Sequence, residues 1–424
     1  MPRIALITER YPFSGADAAF LPREVGILAE SIQVIVLPTS RVGAPQELPS
    51  GVELDTSLCG APVRPKLIAM LSTLISRDFW IEARRHGVGA SHPRTLARLA
   101  VRAARVRWSR RRFAAWLDSA RIDLVYAWWG TPPAVGAAQA LVGTDIPLVV
   151  RVHGYDLYGA RDALGFVPYQ RYLLERATMV YSVSTAGARY LQTIYPDLAD
   201  HVGVAHLGVD APVKAAKGSR DGVFRIVTCS RAVPIKRLDL MLNVVASLQR
   251  GGQKVEWTHL GDGPLLDGLR EQASLEGVSC TFVGHIPSDE VTMWLTDHPV
   301  DLFCNVSDSE GLPVSLMEAA ACGIPMLARD VGGNREIVDN SVGCLLPASS
   351  RAVAITEALR SLMSEPYEVR EGKRRASRAR WAEQFQARVN YVSFASDLAS
   401  FAAEPGHALR APRDGRRLSQ MREQ

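Results

Sequence analysis

The sequence contains no long apolar run. No stretch of this 424-residue chain approaches the roughly 18 consecutive apolar residues that a membrane-spanning helix needs. The first residues turn polar too soon for the apolar core of a signal peptide, and they predict a first β-strand. Their sequence is MPRIALITERYP. We therefore expect a cytoplasmic protein, with peripheral attachment to the inner face of a membrane as a further option.

Cysteine is also sparse, and metal-ligand patterns are missing. The six cysteines are scattered without metal-ligand spacing, and several lie in apolar, strand-like contexts. This distribution is typical of reduced, buried thiols and argues against a disulfide scaffold or a zinc site. The chain also lacks an Asp-x-Asp pair where a strand would present it, and metal sites normally need clustered carboxylates. We predict no metal and no cofactor.

Positive charge is concentrated in one part of the chain. Residues 64–121 carry 14 Arg and Lys residues against the three acids Asp78, Glu82 and Asp118, although the whole chain has a net charge of only +5. Residues 94–117 also show apolar positions at helical spacing. Two interpretations stay open: a helix with a solvated basic face, or a surface that attracts anionic lipid headgroups. Nucleic acid is not predicted, because no recognition module is present.

Strand and helix patterns alternate along the chain in two blocks. Short β-branched runs followed by helical patterns indicate parallel sheets covered by helices, so the fold class is α/β with two Rossmann-like doubly wound domains. We predict an N-terminal domain at 1–210, a linker at 211–219 and a C-terminal domain at 220–370. Terminal helices at 371–403 are expected to pack back toward the N-terminal domain. A disordered basic tail is expected at 404–424.

Two glutamates eight residues apart, Glu310 and Glu318, flank a predicted helix start. The apolar strand VDLFCNV precedes them, the helix is expected to begin near Leu312 or Pro313, and Gly323 is expected to end it. Backbone N–H groups from Gly311 to Val314 would then form an anion site suited to a diphosphate. Carboxylates beside such a site suit sugar hydroxyls. The spacing alone is weak evidence, since a second pair, 357 and 365, has the same separation.

The residues between the two glutamates carry a resemblance. The stretch EGLPVSLMEAAACGIPML is similar to the signature of the family-four retaining glycosyltransferases, which have the GT-B architecture of two Rossmann-like domains facing across a cleft. The resemblance implies that Glu310 contacts the donor sugar and that Glu318 binds the ribose of a nucleotide. The predicted anion site at the helix start adds Gly311, Leu312, Pro313 and Val314 as donor-binding positions.

Other loops resemble the same family. The stretch TCSRAVPIKRLDLML places Arg231 and Lys236 after a strand, where the family's Arg and Lys would stabilise the leaving diphosphate. A Gly-Asp-Gly-Pro turn follows the next strand; we expect it to be mainly architectural, with Gly261 allowing approach of the nucleotide. The stretch DVGGNREIV suggests a flexible loop at Gly332 and Gly333.

In the first block the resemblance assigns two residues to the reaction centre. His153, at the end of the strand VVRVHG, would reach the donor sugar, and Gly15 would lie near donor phosphate and acceptor. One departure concerns YAWWG at 126–130, where the family often has histidine-rich text. Trp128 and Trp129 there could stack on an acceptor sugar or fill the core.

Together these observations predict a retaining, metal-independent glycosyltransferase. A hexosyl-type sugar would move from a nucleotide-diphosphate sugar to a saccharide or lipid-linked hydroxyl acceptor, in exopolysaccharide or lipid-linked glycan assembly. Glycosylation of a small-molecule metabolite stays open, as does a non-catalytic glycosyltransferase-like subunit. The four charged residues Arg231, Lys236, Glu310 and Glu318 argue against the last, because a subunit without a donor site would not need them.

Overall fold

The computed structural model describes residues 1–13, 15, 17, 20–60 and 73–403. The predicted tail at 404–424 and residues 64–72 of the basic segment lie outside this part. The chain forms two compact units. The first comprises residues 1–183, 187–205 and 392 onward, and the second comprises residues 184–186 and 206–391.

The first unit is built on a seven-stranded parallel sheet. Its strand order is β3-β2-β1-β4-β5-β6-β7. The strands are β1 (Arg3–Thr8), β2 (Gln33–Pro38), β3 (Val52–Leu54), β4 (Leu124–Ala127), β5 (Leu148–Val152), β6 (Met179–Ser182) and β7 (Val202–Val204). The central strands are buried along their whole length and are apolar except for Arg151 in β5, which pairs with the buried Glu24, as expected of a sheet covered by helices on both faces.

Helices of the first unit connect these strands. They are α1 (Leu21–Leu28), α2 (Arg77–Arg85), α3 (Pro93–Leu117), α4 (Pro132–Ala140), α5 (Gln170–Arg176) and α6 (Thr185–Ile194). The predicted basic helix at 94–117 is confirmed as α3. Its apolar positions, including Leu99, Val106 and Phe113, are buried in the core. The last strand of this sheet, β7, ends at Val204, and Val209 further along forms an isolated bridge with Gln386.

The second unit repeats the same topology on six parallel strands. Their order is β10-β9-β8-β11-β12-β13. The strands are β8 (Phe224–Cys229), β9 (Val255–Leu260), β10 (Cys280–Gly284), β11 (Leu302–Asn305), β12 (Met326–Arg329) and β13 (Gly343–Leu346). The helices are α7 (Leu238–Arg250), α8 (Leu266–Leu275), α9 (Val291–Asp297), α10 (Val314–Ala321), α11 (Asn334–Ile337), α12 (Ala352–Met363), α13 (Tyr367–Gln384) and α14 (Ala387–Ala403), and α14 belongs to the first unit from residue 392 onward.

The helix predicted after Glu310 is α10, and its limits are close to the expectation. It begins at Val314, with Pro313 as N-cap, and it ends before Gly323, whose φ of +70° lies in the left-handed region. Glycine adopts that conformation without strain, which explains the stop.

The strand order of each sheet reverses at one point, between β1 and β4 in the first unit and between β8 and β11 in the second. Open parallel sheets bind ligands outside the carboxyl ends of the strands at such a switch point. The predicted site residues follow these four strands and the neighbouring β5 and β9. None of the helices in the described part of the chain has the length and apolarity to cross a membrane.

Candidate functional site

The loops after β8 and β11 lie side by side at the switch point of the second unit. The backbone N–H of Asp308 donates to the carbonyl of Ile235 at 2.8 Å, which joins the two loops directly. A short helical turn, Pro234–Lys236, precedes α7, and Arg237 adopts a left-handed conformation (φ 52°) at its end. This turn aims the side chain of Lys236 back across the strand ends.

Lys236 and Glu310 form the central ion pair of this site. The Lys236 ammonium donates to both carboxylate oxygens, at 2.7 Å to Oε1 and 2.8 Å to Oε2. Asn305, the last residue of β11, donates from Nδ2 to Oε1 at 3.0 Å. The glutamate side chain is 7 % exposed and the lysine 22 %, so the pair is set into the surface with the ammonium side nearer to solvent.

The surroundings of Glu310 favour its ionised form. Burial alone would raise the pKa of this carboxyl, but the Lys236 charge and hydrogen bonds from Lys236, Ser307 and Asn305 outweigh it and hold the pKa below its usual range. Glu310 is therefore an acceptor of hydrogen bonds at neutral pH.

Glu318 lies on the same side of the sheet. It is buried in the second turn of α10, and its negative charge helps to raise the pKa of the Cys229 thiol at the end of β8, where burial is the larger cause. Lys236 acts on the same thiol in the opposite direction. The structure thus brings Glu318 and Lys236 into one neighbourhood around the carboxyl end of β8.

Arg231, two residues after β8, is exposed, and its side chain has no hydrogen-bond or ion-pair partner within the described ranges. It differs in this from Lys236, although both follow the same strand. A free guanidinium can grip a phosphate through two parallel hydrogen bonds.

The start of α10 offers further donors. The backbone N–H groups of Gly311, Leu312 and Val314 have no acceptor within the part of the chain that the structure describes. Pro313 lacks an N–H, so of the four predicted backbone positions it alone cannot donate. Leu312 and Pro313 are buried and shape the loop, while Gly311 and Val314 are partly exposed.

Glycines hold the neighbouring loops against this site. A Cβ on Gly332, whose φ is +55°, would lie 2.1 Å from the Glu310 carbonyl oxygen, and the Gly333 N–H donates to the Gly311 carbonyl at 2.8 Å. The expectation of a flexible loop here is wrong, because both glycines are closely packed. A Cβ on Gly261 would likewise lie 2.0 Å from the Ser230 oxygen. This close packing confirms an architectural role for the turn; nucleotide contact by Gly261 stays a prediction.

Two residues that were not predicted from the sequence support the Lys236–Glu310 ion pair. Arg329, buried at the end of β12, donates to the carbonyls of Val306 at 3.1 Å and Ser307 at 3.4 Å and to Asp308 Oδ1 at 2.5 Å. Asn305 Oδ1 accepts from the Ser307 N–H at 3.1 Å. Both residues fix the loop that carries Glu310. A polar residue ending an otherwise apolar strand was the available signal.

His153 follows β5 at the edge of the first sheet's switch point. Burial lowers its pKa, and neither ring nitrogen has a hydrogen-bond partner among the residues that the structure describes; Nδ1 lies 3.9 Å from Asp156 Oδ2. Asp156 instead accepts from the N–H groups of His153 at 2.9 Å, Gly154 at 3.1 Å and Gly130 at 2.9 Å. This carboxylate ties together the loops after β4 and β5 and fixes the position of the imidazole.

The two tryptophans after β4 have different environments. Trp128 is fully buried, whereas Trp129 is partly exposed. The Trp129 ring lies 4.2 Å from the His153 ring and 4.8 Å from that of Tyr155, which is 41 % exposed. The Tyr155 hydroxyl donates to Glu9 Oε2 at 3.4 Å. Trp128 thus belongs to the core, and Trp129 continues an aromatic cluster toward the surface.

The loop after β1 is shaped by a buried aspartate. Asp17 Oδ2 accepts from the N–H groups of Glu9 at 2.8 Å, Arg10 at 2.8 Å and Tyr11 at 3.2 Å. Gly15 lies in the same loop, against the Arg10 side chain. Gly15 and His153 therefore follow neighbouring parts of one sheet edge. No group of three or more His, Cys, Asp or Glu residues suited to a metal is found among the residues that the structure describes.

Two family models match the chain in adjacent segments. "Glycosyltransferase Family 4" matches residues 72–212, and "Glycosyl transferases group 1" matches residues 211–384. Together the two segments span well over half of the chain. The chain belongs to the family-four glycosyltransferases of GT-B fold. The junction of the two models also coincides with the predicted linker.

Two relatives of this chain carry names from glycan and glycolipid biosynthesis. WcaL of Escherichia coli K12, assigned to colanic acid biosynthesis, is 30 % identical over 251 residues, which cover 55 % of this chain and 60 % of that protein. The chain thus matches less than two thirds of that relative's length. A GDP-mannose-dependent phosphatidylinositol monomannoside mannosyltransferase of Mycolicibacterium smegmatis is 28 % identical, covering 58 % of this chain and 68 % of the relative.

Solved structures share the fold at low identity. HepE of Anabaena, solved in complex with UDP and glucose, superimposes with a TM-score of 0.63 at 16 % identity, over 94 % of this chain and 100 % of HepE. Sucrose-phosphate synthase of Thermosynechococcus elongatus gives a TM-score of 0.69 at 14 % identity, over 95 % and 100 % of the two chains. Identities this low support the GT-B fold alone.

Proposed function

We propose that this family member is an active, retaining glycosyltransferase that transfers a hexosyl-type sugar from a nucleotide-diphosphate sugar. The observation that carries the proposal is the set of groups at the switch point of the second unit. An ionised Glu310 is held by Lys236, and Arg231 in the loop after β8, like the N–H donors at the start of α10, has no partner among the described residues. This combination suits a ligand that joins phosphates to hydroxyls.

In this proposal each charged group binds a different part of the donor substrate. Arg231, Lys236 and the N–H groups of Gly311, Leu312 and Val314 bind the diphosphate and stabilise the charge that develops as it leaves. Glu310 accepts hydrogen bonds from the sugar hydroxyls, and Glu318 accepts them from the ribose. Gly261 lets the nucleotide approach the backbone. Pro313 shapes the loop without donating.

The proposed mechanism retains the configuration of the transferred sugar. The acceptor hydroxyl attacks from the face that the diphosphate leaves, and a phosphate oxygen of the leaving group takes its proton. We assign no side chain as general base. Glu310 is unsuited to be the nucleophile, because both of its oxygens are engaged by the Lys236 ammonium. Its role is to orient the sugar.

Charge on the diphosphate can be balanced without a metal, since the second unit supplies two cationic side chains and a helix N-terminus. We therefore propose a metal-independent reaction that needs no cofactor. Two residues of the first unit complete the proposal. His153, after β5, is proposed to contact the donor sugar. Gly15, after β1, is proposed to lie near the donor phosphate and the acceptor.

The relatives' names suggest the setting. WcaL is assigned to colanic acid, AmsK of Erwinia amylovora to amylovoran, and the mycobacterial enzyme to a lipid-linked mannoside. We propose that this chain likewise extends a saccharide or lipid-linked acceptor during exopolysaccharide or lipid-linked glycan assembly, at the inner face of the membrane.

Thermal-shift measurements with UDP, GDP and ADP, each alone and with attached hexoses, test the donor proposal. We expect one nucleotide to raise the melting temperature of the parent protein. Lys236→Ala and Glu318→Gln should abolish that shift. Lys254→Ala and Glu357→Gln, which change exposed residues of the same types in the same unit, should keep it.

Product analysis then tests the reaction. With the selected nucleotide sugar and an oligosaccharide acceptor, we expect an axial or equatorial linkage that matches the donor's, unchanged by EDTA. A product of inverted configuration would refute the retaining mechanism. Activity that depends fully on Mn²⁺ would refute metal independence. Nucleotide binding that survives both Lys236→Ala and Glu318→Gln would refute the donor site itself.

A further inference from the structure

The outer face of α2 combines exposed apolar side chains with free arginines. Ile75 is 86 % exposed, Trp80 37 % and Ile81 45 %, so three large apolar residues are exposed within seven positions. Arg77 and Arg84 are exposed on either side of them, and neither has a hydrogen-bond or ion-pair partner within the described ranges. Single exposed apolar residues are normal; a cluster flanked by unpaired charge of one sign indicates an interaction surface.

Helical spacing places this set on one stripe. Arg77, Trp80, Ile81 and Arg84 are three or four residues apart, so they share a face, while Phe79, Glu82 and Ala83 are buried on the other. The Trp80 indole N–H donates to the Leu74 carbonyl at 2.6 Å, which satisfies its polar atom at the backbone. We call Ile75, Arg77, Trp80, Ile81 and Arg84 the α2 stripe.

The buried face of α2 anchors the helix firmly. Glu82 accepts a hydrogen bond from the Tyr169 N–H at 2.6 Å and lies 3.3 Å from Arg85 and 3.2 Å from His86. The His86 ring stacks on Phe166 with 3.7 Å between centroids. The α2 stripe is therefore presented by a fixed element.

The adjacent helix strengthens the positive charge. Helix α3 packs against α2 and carries Arg94, Arg110 and Arg111, all exposed and all without a hydrogen-bond or ion-pair partner in the part of the chain that the structure describes. Other arginines of α3 are held internally, as Arg102 is by Asp162 at 3.1 Å. Asp78 is the exposed acid on α2 itself. Positive charge clearly dominates around the stripe.

We propose that the α2 stripe docks this protein on an anionic lipid bilayer. Trp80, Ile81 and Ile75 enter the boundary between headgroups and acyl chains, and Arg77 and Arg84 pair with lipid phosphates beside them. The unpaired arginines of α3 supply longer-range attraction to the negative surface. This surface does not depend on the proposed transferase activity.

The apolar members favour a bilayer over the other anionic partner, a nucleic acid. Phosphate backbones are bound by cations and polar groups, and bases stack on aromatic rings, but exposed isoleucines gain nothing from either contact. In a bilayer interface both isoleucines and the indole lose contact with water. The stripe as a whole therefore matches lipid.

Cosedimentation of the full chain with vesicles tests the proposal. The vesicles contain phosphatidylglycerol mixed with phosphatidylcholine, or phosphatidylcholine alone. We expect binding to the anionic vesicles only. Arg77→Gln/Arg84→Gln should lower the partition coefficient about fivefold per guanidinium. Trp80→Ser/Ile81→Ser should lower it on the order of tenfold, because the apolar insertion is lost.

Matched controls separate docking from folding. Val353→Ser changes a residue that is 70 % exposed on α12 of the second unit, and it should bind vesicles as the parent does. The arginine variant and Ile75→Ser should keep the parent's melting temperature, since those side chains are exposed and unpaired within the described ranges. Trp80→Ser/Ile81→Ser also loses the indole bond to the Leu74 carbonyl, so its melting temperature is measured and its vesicle binding is compared at a temperature where it is folded. Ile75→Ser, placed before the helix, gives a second apolar test that leaves α2 unaltered.

Two results would overturn the proposal. One is vesicle binding of Trp80→Ser/Ile81→Ser and of Ile75→Ser equal to that of the parent. The other is tighter binding to a random DNA duplex than to anionic vesicles, where the arginine variant loses DNA binding and the apolar variants keep it. The second result would assign the surface to nucleic acid.

Discussion

The two units share one strand order, yet the ends of their strands carry different chemistry. At the switch point of the second unit the side chains form ion pairs and hydrogen bonds. Lys236 pairs with Glu310, and Asn305 and Arg329 donate hydrogen bonds to Glu310 and to the loop that carries it. At the corresponding edge of the first unit, His153 and Trp129 pack ring against ring, and their ring nitrogens have no hydrogen-bond partner within the described part of the chain. One edge is electrostatically organised before any ligand arrives; the other is organised by packing.

The largest effect is expected where the organised charge is removed. Glu310→Gln keeps the shape but loses the carboxylate that orients the proposed donor sugar, so kcat should fall by roughly 10² to 10³. Nucleotide affinity should change far less. Single-turnover assays with the selected donor measure both quantities. Glu357→Gln is the control, and activity of Glu310→Gln close to the parent's would contradict the assigned role.

The two tryptophans separate core from surface at the other edge. Trp128→Leu removes a fully buried indole and should lower the free energy of unfolding by about 3 kcal/mol. Trp129→Leu should cost about 1 kcal/mol, because this ring is already partly exposed. Urea denaturation measures both. Equal losses, or the reverse order, would show that Trp129 is as much a core residue as Trp128.

Close packing under Glu310 gives a third test. Gly332→Ala would push a Cβ toward the Glu310 carbonyl and force a left-handed residue, so we expect a loss of about 2 kcal/mol in the free energy of unfolding. Gly372→Ala is the matched control: it lies inside α13 with open space around it, and should stabilise by up to about 1 kcal/mol. A neutral Gly332→Ala would mean that the loop yields easily.

The smallest effect concerns pH. Burial lowers the pKa of His259 to about 4, below its ordinary value. At a pH between these two pKa values the imidazole is protonated in the unfolded chain and neutral in the folded protein. Stability should therefore fall as pH drops below the ordinary histidine pKa, by about 1 kcal/mol from His259 down to pH 5.5. Urea titrations at pH 5.5 and at a pH above the ordinary histidine pKa measure the difference in the free energy of unfolding. His259→Gln should remove the share of that difference that comes from His259. An unchanged difference in that variant would assign the loss to other groups.

Much of the second unit's site could be predicted because its signals are local. Arg231 and Lys236 follow one strand, Glu310 and Glu318 flank one helix start, and each pattern can be read within a few residues. The alternation of strands and helices also predicted two doubly wound units. The limits of α10 followed from Pro313 and Gly323, residues with strong conformational preferences of their own.

What could not be predicted depends on contacts between distant segments. Arg329 is separated from the loop it braces by more than 20 positions, and nothing near it in the sequence marks its partners. Gly332 and Gly333 looked flexible because glycine tolerates many conformations, but here the missing side chains allow close packing. Likewise, two adjacent tryptophans read alike in sequence, although Trp128 is fully buried and Trp129 is partly exposed.

The Lys236–Glu310 pair has a consequence for how a diphosphate is first attracted. Because the ammonium is already neutralised at 2.7 Å by its own carboxylate, it contributes little field beyond its immediate surroundings. Arg231 is left as the cation that an approaching anion meets. The ionic-strength dependence of nucleotide association should therefore follow Arg231, whereas Lys236 should govern how long the complex lasts.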